Sequence, residues 1–241
     1  MPQTAINLTY EFFSVGCENS KSDVAIVIDV LRASTTINTL LQLCNEVYIT
    51  DSIEKANSYK DAIKIGERNG KKIEKFDFGN SPTEILRNKG KILEHVKNNG
   101  KVVLTTTNGT RVMKRVFKNA NYVLIGSITN AKYVAEKAVE LAKSGITLVP
   151  CHRKGTFAIE DVIGAGLIAR YIEEISKEKT KNEEVLAAKL LTKGDWKSLI
   201  LNSNSADNLR NLGYHEDLLF CICENAQDVV GMFDGEKVIR M

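Results

Sequence analysis

The chain has 241 residues, 43% hydrophobic and 26% charged, an ordinary globular composition with enough apolar residues for one large core or two small ones. Its net charge is only +3, which excludes the strong basic field that non-specific binding to nucleic acids or membranes requires. Neither a secretory leader nor an apolar run of about 20 residues is present, so we expect a cytoplasmic protein that binds neither nucleic acid nor a membrane.

Five short runs rich in valine and isoleucine predict buried strands. They are Val24–Ile28, Val47–Ile49, Val102–Leu104, Val123–Ile125 and Ile146–Val149. Apolar spacings of three and four predict helices near residues 33–43, 53–64, 109–118, 130–143 and 160–175. Strands that alternate with helices indicate an α/β fold of three layers, α/β/α, with a mainly parallel sheet.

Residues 24–60 resemble residues 100–136 in the order of their predicted elements. Each stretch runs from a strand through a threonine-rich loop into a helix, and then through an asparagine into a second strand, such as Asn45–Ile49 and Asn121–Ile125. Two unrelated α/β units can also look alike by chance. We therefore expect one domain over residues 1–241, with an internal duplication into two similar, intertwined half-domains as one interpretation.

Two further segments stand out in the remaining sequence. Residues 65–82 carry glycines, charges and a proline, and this composition predicts a long functional loop. Near the carboxyl end, Asp234-Gly235 lies between apolar runs and predicts a β-hairpin. Because apolar hairpins often pack between subunits, a homodimer is the assembly we expect.

The first candidate loop follows the strand at Val24–Ile28. In an open parallel sheet, ligands bind beyond the carboxyl ends of the strands. Asp29 and Arg32 lie at this strand end, and Ser34 and Thr35 begin a helix whose free N–H groups suit phosphate or sulfonate. Since a carboxylate beside a phosphate site needs a cation between them, the loop predicts a Mg²⁺ site at Asp29.

The second candidate loop follows the strand at Val102–Leu104. Its hydroxyl and amide groups can donate to anionic oxygens, and a glycine lets the backbone approach a ligand closely. An ordinary helix cap would also explain this composition. The substrate contacts predicted from this loop are Thr106, Asn108, Gly109, Thr110 and Arg111.

The third candidate loop follows the strand at Ile146–Val149. Arg153 and Lys154 are cations in this loop, and Glu160 and Asp161 follow at the start of the next helix. Acids at a helix start also complement its dipole, which is a purely structural alternative. We favour adjacent anion and metal sites, with Glu67 facing the same site.

Several other kinds of catalytic site are excluded. The five cysteines are scattered without a CxxC pair, and the arginine that a tyrosine-phosphatase loop requires is replaced by Phe157. No GxxxxGK[ST] motif is present. Asp29 and Thr105 imitate a haloacid-dehalogenase site, but Leu31 stands where that mechanism needs its second acid.

Five motifs in this order, VIDVLRASTTI, GNSPTE, TTTNGTR, GSITNA and GTFAIEDVIGAG, resemble those of the 2-phosphosulfolactate phosphatase family. The resemblance extends from about residue 24 to the carboxyl end. It implies an α/β fold and the Mg²⁺-dependent hydrolysis of (R)-2-phospho-3-sulfolactate to 3-sulfolactate and phosphate. The residues that it carries over are Asp29, Arg32, Asn80, Ser81, Asn108, Gly109, Thr110, Arg111, Asn130, Glu160 and Asp161.

This resemblance, together with the loops, gives a hypothesis for the mechanism. Asp29, Glu160 and Asp161, with Glu67 nearby, would hold Mg²⁺ and link it to the phosphate. Arg32 and Arg111 would neutralise the charge that develops during transfer, while Arg153 and Lys154 would bind the sulfonate or the carboxylate. Two alternatives remain: a Mg²⁺ phosphatase for another small phosphorylated acid or sugar, and a non-catalytic anion-binding protein.

Overall fold

The computed structural model of the chain describes residues 6–10, 22–153 and 156–241. Within these ranges, ten strands form one sheet: β1 Asn7–Tyr10, β2 Ser22–Ile28, β3 Glu46–Thr50, β4 Ala62–Arg68, β5 Lys71–Lys72, β6 Lys101–Thr105, β7 Ala120–Gly126, β8 Gly145–Pro150, β9 Gly231–Phe233 and β10 Lys237–Arg240. The same ranges contain eleven α-helices: α1 Ala33–Leu41, α2 Ile53–Ser58, α3 Pro82–Arg87, α4 Lys89–Lys97, α5 Gly109–Val116, α6 Ala131–Leu141, α7 Ile159–Ser176, α8 Glu183–Leu191, α9 Trp196–Leu201, α10 Asn204–Asn211 and α11 His215–Cys221. All five predicted strands are present, and the predicted fold class is confirmed.

The sheet consists of two groups of mainly parallel strands joined by an antiparallel hairpin. Its strand order is β1-β8-β2-β7-β9-β10-β3-β6-β4-β5. The first group is β1, β8, β2 and β7, which are all parallel, and the second group is β3, β6, β4 and β5, in which only β5 is antiparallel. The β9–β10 hairpin lies between β7 and β3 and pairs with both in the antiparallel sense. The two groups therefore run in opposite directions.

The loops after β2 and β6 lie in contact, although these strands belong to groups that run in opposite directions. A Cβ atom built on Gly109 after β6 would lie 3.0 Å from Asp29 Oδ2 after β2. Neighbouring strands are usually rotated by roughly 20–25°, which accumulates to more than a quarter turn over the steps from β2 to β6. A twist of this size turns the two strand ends towards the same side of the sheet.

Alternate residues of β2 face two different cores. Val24, Ile26 and Ile28 pack with α6 and α7 in one core. Ala25 and Val27 face the other core, which contains α1, α5 and residues of β3 and β6. The period of two along a strand sets this division, because successive side chains point to opposite faces. The sheet is thus covered on both faces, as the sequence predicts.

Three expectations from the sequence are corrected. The predicted helix at 53–64 ends at Ser58, and β4 begins at Ala62. Part of the predicted long loop at 65–82 is strand, because β4 and β5 form a hairpin closed by Asn69 and Gly70, both at positive φ. The carboxyl-terminal hairpin lies inside the sheet rather than at the surface, so it no longer supports a homodimer.

The chain crosses between the two strand groups along its length. The order β2-α1-β3-α2-β4 starts in the first group and ends in the second, and the order β6-α5-β7-α6-β8 does the reverse. The internal duplication and the single-domain boundaries stay predictions. Among the described helices, none is both long and apolar enough to cross a membrane.

Candidate active site

A cavity of about 300 Å³ lies where the loops after β2, β6 and β8 converge with the β4–β5 hairpin. Most of its wall is polar. The residues that line it are Asp29, Leu31, Arg32, Glu67, Asn69, Gly70, Asn80, Thr106, Thr107, Asn108, His152, Arg153, Ala158, Glu160, Asp161, Ser205, Asn208 and Leu209. The structure therefore brings together nine of the residues that the sequence predicts for the site.

Asp29 is fixed at the start of α1. Its Oδ1 accepts the backbone N–H of Ala33 at 3.0 Å, while its own N–H donates to Ser34 Oγ at 3.0 Å. Burial, with smaller contributions from the charges of Glu67 and Glu160, raises the pKa of Asp29 to about 6, although the Ala33 hydrogen bond and the charge of Arg32 act in the opposite direction. Several negative charges thus converge on this carboxyl group.

Asp161 and Glu67 hold loops of the cavity through both of their carboxylate oxygens. Asp161 accepts the N–H groups of Val30 at 2.8 Å and His152 at 2.9 Å, and so ties the loop after β2 to the loop after β8. Burial, followed by the charge of Asp29, raises the pKa of Asp161 well above its usual value. Glu67 accepts from Gly70 and Thr107, both at 2.7 Å. These contacts give both acids a positioning role.

Glu160 and Asn80 present buried oxygens to the cavity. Each residue is only 4% exposed. Glu160 Oε2 and Asn80 Oδ1 have no hydrogen-bond partner in the described structure. Because a buried carboxylate oxygen without a partner is costly, Glu160 fits a site that a cation or a ligand completes.

Arg32 reaches the cavity from a buried ion pair. Its Nη1 lies 2.7 Å from Asp217 Oδ2, its Nη2 donates to Gly70 O at 3.0 Å, and its guanidinium lies 4.0 Å from the centre of the Tyr214 ring. The predicted cation is therefore in the site, but it is already paired with an acid. Sequence reasoning missed Asp217, because nothing in the local pattern of α11 shows that it packs against this loop.

The loop after β6 supplies Thr106, Thr107 and Asn108 to the cavity wall. Thr106 Oγ1 accepts the N–H of Thr110 at 3.4 Å and lies 3.1 Å from its hydroxyl, so this pair begins α5. Gly109 is needed at this point because Asp29 approaches its Cα closely. The cavity thus faces the amino-terminal end of α5, whose partial positive charge suits an anion.

Several predicted substrate contacts make hydrogen bonds within the protein, away from the cavity wall. Ser34 is buried beneath Asp29, and Thr35 bonds to Val30 O at 3.0 Å and to Ser127 Oγ at 2.7 Å. Asn130 uses its amide on the backbone of Ser127, Ile125 and Val229. None of these three side chains lines the cavity.

Three further predicted contacts also lie away from the cavity wall. Ser81 caps α3 and donates to Asp217 at 2.8 Å, and Thr110 is buried beneath Thr106. Arg111 is exposed, and its charge acts on Asp51, whose pKa is lowered mainly by Lys114. Lys154 lies outside the described residues.

One side of the cavity, the outer wall, is formed by α10 and Arg153, and the sequence does not predict that α10 lies there. Arg153 donates to Ser205 Oγ of α10 at 2.8 Å. Asn208 and Leu209 complete this wall. Such a contact between distant segments leaves no local sequence pattern. The Asn69-Gly70 pair, in contrast, is a hairpin signal that could have revealed how Glu67 is held.

His152 is the one histidine in the described cavity wall. Its Nδ1 accepts the N–H of Ala158 at 3.1 Å, so in the neutral ring Nε2 carries the proton. Burial lowers the pKa of His152, which favours this neutral form. Neighbouring Cys151 is buried, and burial raises the pKa of its thiol, in agreement with the exclusion of a cysteine nucleophile.

The carboxylate oxygens of the cavity fit a hard divalent cation that takes some of its ligands from the protein and the others from water and substrate. Among the described residues, no cluster of three or more histidine, cysteine, aspartate or glutamate side chains could hold a metal ion by itself. Mg²⁺ commonly binds through one or two carboxylates, with water and phosphate oxygens as its other ligands. Asp29 and the partnerless oxygen of Glu160 meet that requirement.

This combination of an α/β sheet, acidic groups and a helix start beside one cavity defines a class of protein, an enzyme that acts on a small anionic ester. Comparisons with known proteins give the family. The family model described as 2-phosphosulpholactate phosphatase matches residues 14–236. The chain belongs to this family, and it is a phosphoric monoester hydrolase.

Curated relatives cover nearly the whole chain. A 2-phosphosulfolactate phosphatase of Methanocaldococcus jannaschii is 55% identical over 98% of this chain and 99% of its own length. Probable 2-phosphosulfolactate phosphatases of Carboxydothermus hydrogenoformans and Thermus thermophilus are 33% and 32% identical, over 91% and 83% of this chain and 90% and 83% of their own lengths. The matches therefore include both strand groups of the sheet.

Proposed function

We propose that this protein hydrolyses the phosphate ester of (R)-2-phospho-3-sulfolactate to 3-sulfolactate and phosphate, with Mg²⁺ as its cofactor. The name of the Methanocaldococcus relative, which is 55% identical, supports the substrate. The observation that carries the site assignment is the convergence of Asp29, Glu160, Arg32 and the start of α5 on one cavity. Phosphate, carboxylate and sulfonate are all anions that such a site must hold.

The charge balance of the cavity supports the need for a metal. Four carboxylates line it, those of Asp29, Glu67, Glu160 and Asp161, against Arg32 and Arg153 among the described cations. Arg32 is already paired with Asp217, which lies behind the wall. A substrate with several negative charges would be repelled here, so a divalent cation must accompany it.

Asp29 and Glu160 are the residues that would hold Mg²⁺, and Asp161 and Glu67 would keep their loops in place. When bound, the metal ion would neutralise charge on the phosphate oxygens. Arg32, the partial positive charge at the start of α5 and the side chains of Thr106 and Asn108 would stabilise the charge that develops during transfer. Nε2 of His152 would donate to an oxygen of the substrate.

The outer wall, formed by Arg153 and α10, would bind the carboxylate and the sulfonate of the substrate, which do not react. Arg153 donates to Ser205 of α10, and Asn208 of the same helix also lines the cavity. A guanidinium can bind a sulfonate or a carboxylate through two parallel hydrogen bonds. Lys154, which follows Arg153 in the chain, would add a second positive charge.

Release of phosphate from (R)-2-phospho-3-sulfolactate tests this proposal. We expect rapid release with Mg²⁺ and none with EDTA. The matched control substrate is 2-phospholactate, which has a methyl group in place of the sulfonate-bearing carbon. A protein that hydrolyses both equally well is a broader phosphatase, and one that binds Mg²⁺ and substrate without releasing phosphate has only a binding role.

We also propose that the protein acts in the cytoplasm. Cys44, Cys151, Cys221 and Cys223 are all free thiols in the described structure, as is usual for proteins of a reducing compartment. Cell fractionation followed by the phosphatase assay would test the location. The homodimer stays a prediction, and light scattering would measure the mass in solution.

A further inference from the structure

Asp217 is the centre of a buried network that reaches the cavity through Arg32. The residue is fully buried. Its Oδ1 accepts from Ser81 Oγ at 2.8 Å, from Thr83 Oγ1 at 2.6 Å and from Thr83 N at 3.1 Å, while its Oδ2 lies 2.7 Å from Arg32 Nη1. The carboxylate of α11 thus joins the start of α3 to the loop after β2.

Three contacts hold the guanidinium of Arg32. Its Nη1 donates to Asp217, its Nη2 donates to Gly70 O, and the Tyr214 ring covers one of its faces. A guanidinium has five N–H groups, so some stay available to a ligand. Because the side chain of Arg32 is only 2% exposed and lines the cavity, its orientation decides where those groups point.

We propose that Asp217 is a positioning residue that orients Arg32 towards the phosphate group of the substrate. This inference rests on the proposed function, in which Arg32 neutralises charge on the phosphate. A catalytic cation contributes most when it is fixed before the substrate arrives, and an error of about 1 Å can lower the rate on the order of 100-fold. The four hydrogen bonds that Asp217 accepts, one of them from Arg32, fix the guanidinium in this way.

The test replaces Asp217 with asparagine and compares it with an equivalent change at another buried ion pair. Glu173 is 5% exposed, pairs with Lys189 between α7 and α8, and does not line the cavity. Asp217→Asn and Glu173→Gln each remove one buried charge with little change in shape. Both should lower the Tm. Only Asp217→Asn should lower kcat/KM, by on the order of 10- to 100-fold, and weaken the binding of inorganic phosphate.

A gentler variant covers the case in which Asp217→Asn does not fold. Thr83→Val removes the 2.6 Å hydrogen bond to Asp217 and keeps every charge. We expect a smaller loss of kcat in this variant, with the Tm close to that of the wild type. A double-mutant cycle adds Arg32→Lys to Thr83→Val, and the loss caused by Thr83→Val should largely disappear once the guanidinium is gone.

Wild-type kinetics in folded Asp217→Asn or Thr83→Val would overturn the inference, and so would an equal loss in Glu173→Gln. Calorimetry with inorganic phosphate and Mg²⁺ separates this result from the substrate assignment. If the wild type binds phosphate but does not hydrolyse phosphosulfolactate, the substrate proposal fails, and the phosphate affinities of the variants still decide the role of Asp217. A wild type that binds no phosphate contradicts both.

Discussion

Asp29 concentrates the chemistry of the site in a single carboxyl group. It lies at the end of β2, near Glu160 and the start of α5, and burial raises its pKa, with smaller contributions from Glu67 and Glu160. Replacement by asparagine removes the negative charge but keeps an oxygen that can accept from Ala33 N. We expect Asp29→Asn to fold normally and to lose at least 100-fold in Mg²⁺-dependent kcat, as measured by phosphate release. Unchanged activity would rule out a metal-binding role for Asp29.

The pH dependence of stability should carry the same signature in metal-free protein. The pKa of Asp29 is about 6 in the folded state and 3.8 as its unperturbed value, so the folded protein binds more protons between these values. Its stabilising contribution is complete below about pH 4 and is lost as the pH rises through 6, a change of about 3 kcal/mol. Asp161, whose pKa is also raised, acts in the same direction.

Thermal unfolding in EDTA measures this effect. About 1.4 kcal/mol of this change falls between pH 5 and pH 7.5. We expect the Tm of the wild type to fall by roughly 3–6 °C over that range, because a change of 1 kcal/mol shifts the Tm of a chain of this size by about 2–4 °C. Asp29→Asn should show a flatter profile and a higher Tm at pH 7.5. Parallel profiles for the two proteins would assign the pH dependence to other groups.

At the scale of the elements, the close contact between α5 and α1 depends on one glycine. A Cβ atom on Gly109 would lie 3.0 Å from Asp29 Oδ2 and 3.1 Å from Ala33 Cβ. We expect Gly109→Ala to displace Asp29 and to lower kcat/KM by on the order of 100-fold, as measured by phosphate release, although alanine favours helix.

Gly90 provides the matched control for this substitution. It lies in α4, and a Cβ atom there would meet nothing within 4 Å. Gly90→Ala should therefore stabilise the protein by roughly 0.5–1 kcal/mol in denaturant unfolding and leave kcat/KM unchanged. An active Gly109→Ala variant would show that α5 can move without disturbing Asp29.

The elements that sequence reasoning found and missed differ in how locally they are determined. β2, β6, β7 and β8 are continuous apolar runs, and burial on both faces makes such runs visible in the sequence. β4 is harder to predict, because its sequence AIKIGER alternates buried residues with partly exposed ones such as Lys64. Such alternation is typical of a strand with one face more exposed than the other, but over so few residues it can also continue the preceding helical pattern.

The candidate site shows the same division. Asp29, Arg32, Glu160 and Asp161 follow strand ends or begin helices, and fold rules alone place such positions near a ligand. Asp217 lies 185 positions after its partner Arg32, and Ser205 lies 52 positions after its partner Arg153. Only tertiary packing brings these helices to the site, so no local pattern reveals them. Asn130 and Thr35 bond to the backbone away from the cavity wall, and the sequence does not reveal this because polar side chains in a loop can serve either the backbone or a ligand.

In the molecule as a whole, β10 belongs to the hairpin that joins the two strand groups. Val238 is fully buried in this strand, whereas Arg240, two residues later on the same strand, is exposed. We expect Val238→Asp to abolish folding, because an unpaired charge would be buried at the centre of the sheet, and Arg240→Asp to change the free energy of unfolding by less than about 1 kcal/mol. Circular dichroism and urea unfolding distinguish these outcomes. A stably folded Val238→Asp protein would contradict the central position of the hairpin.

The position of this hairpin also has a consequence for when the sheet can form during synthesis. β9 and β10 follow every other described strand in the chain, yet they separate β7 from β3 in the sheet. Domains generally fold as units during synthesis. We therefore expect the two strand groups to form one sheet only after both groups and the hairpin have been translated. Because the cavity takes residues from both groups, we expect a chain that terminates before the hairpin to have no phosphatase activity.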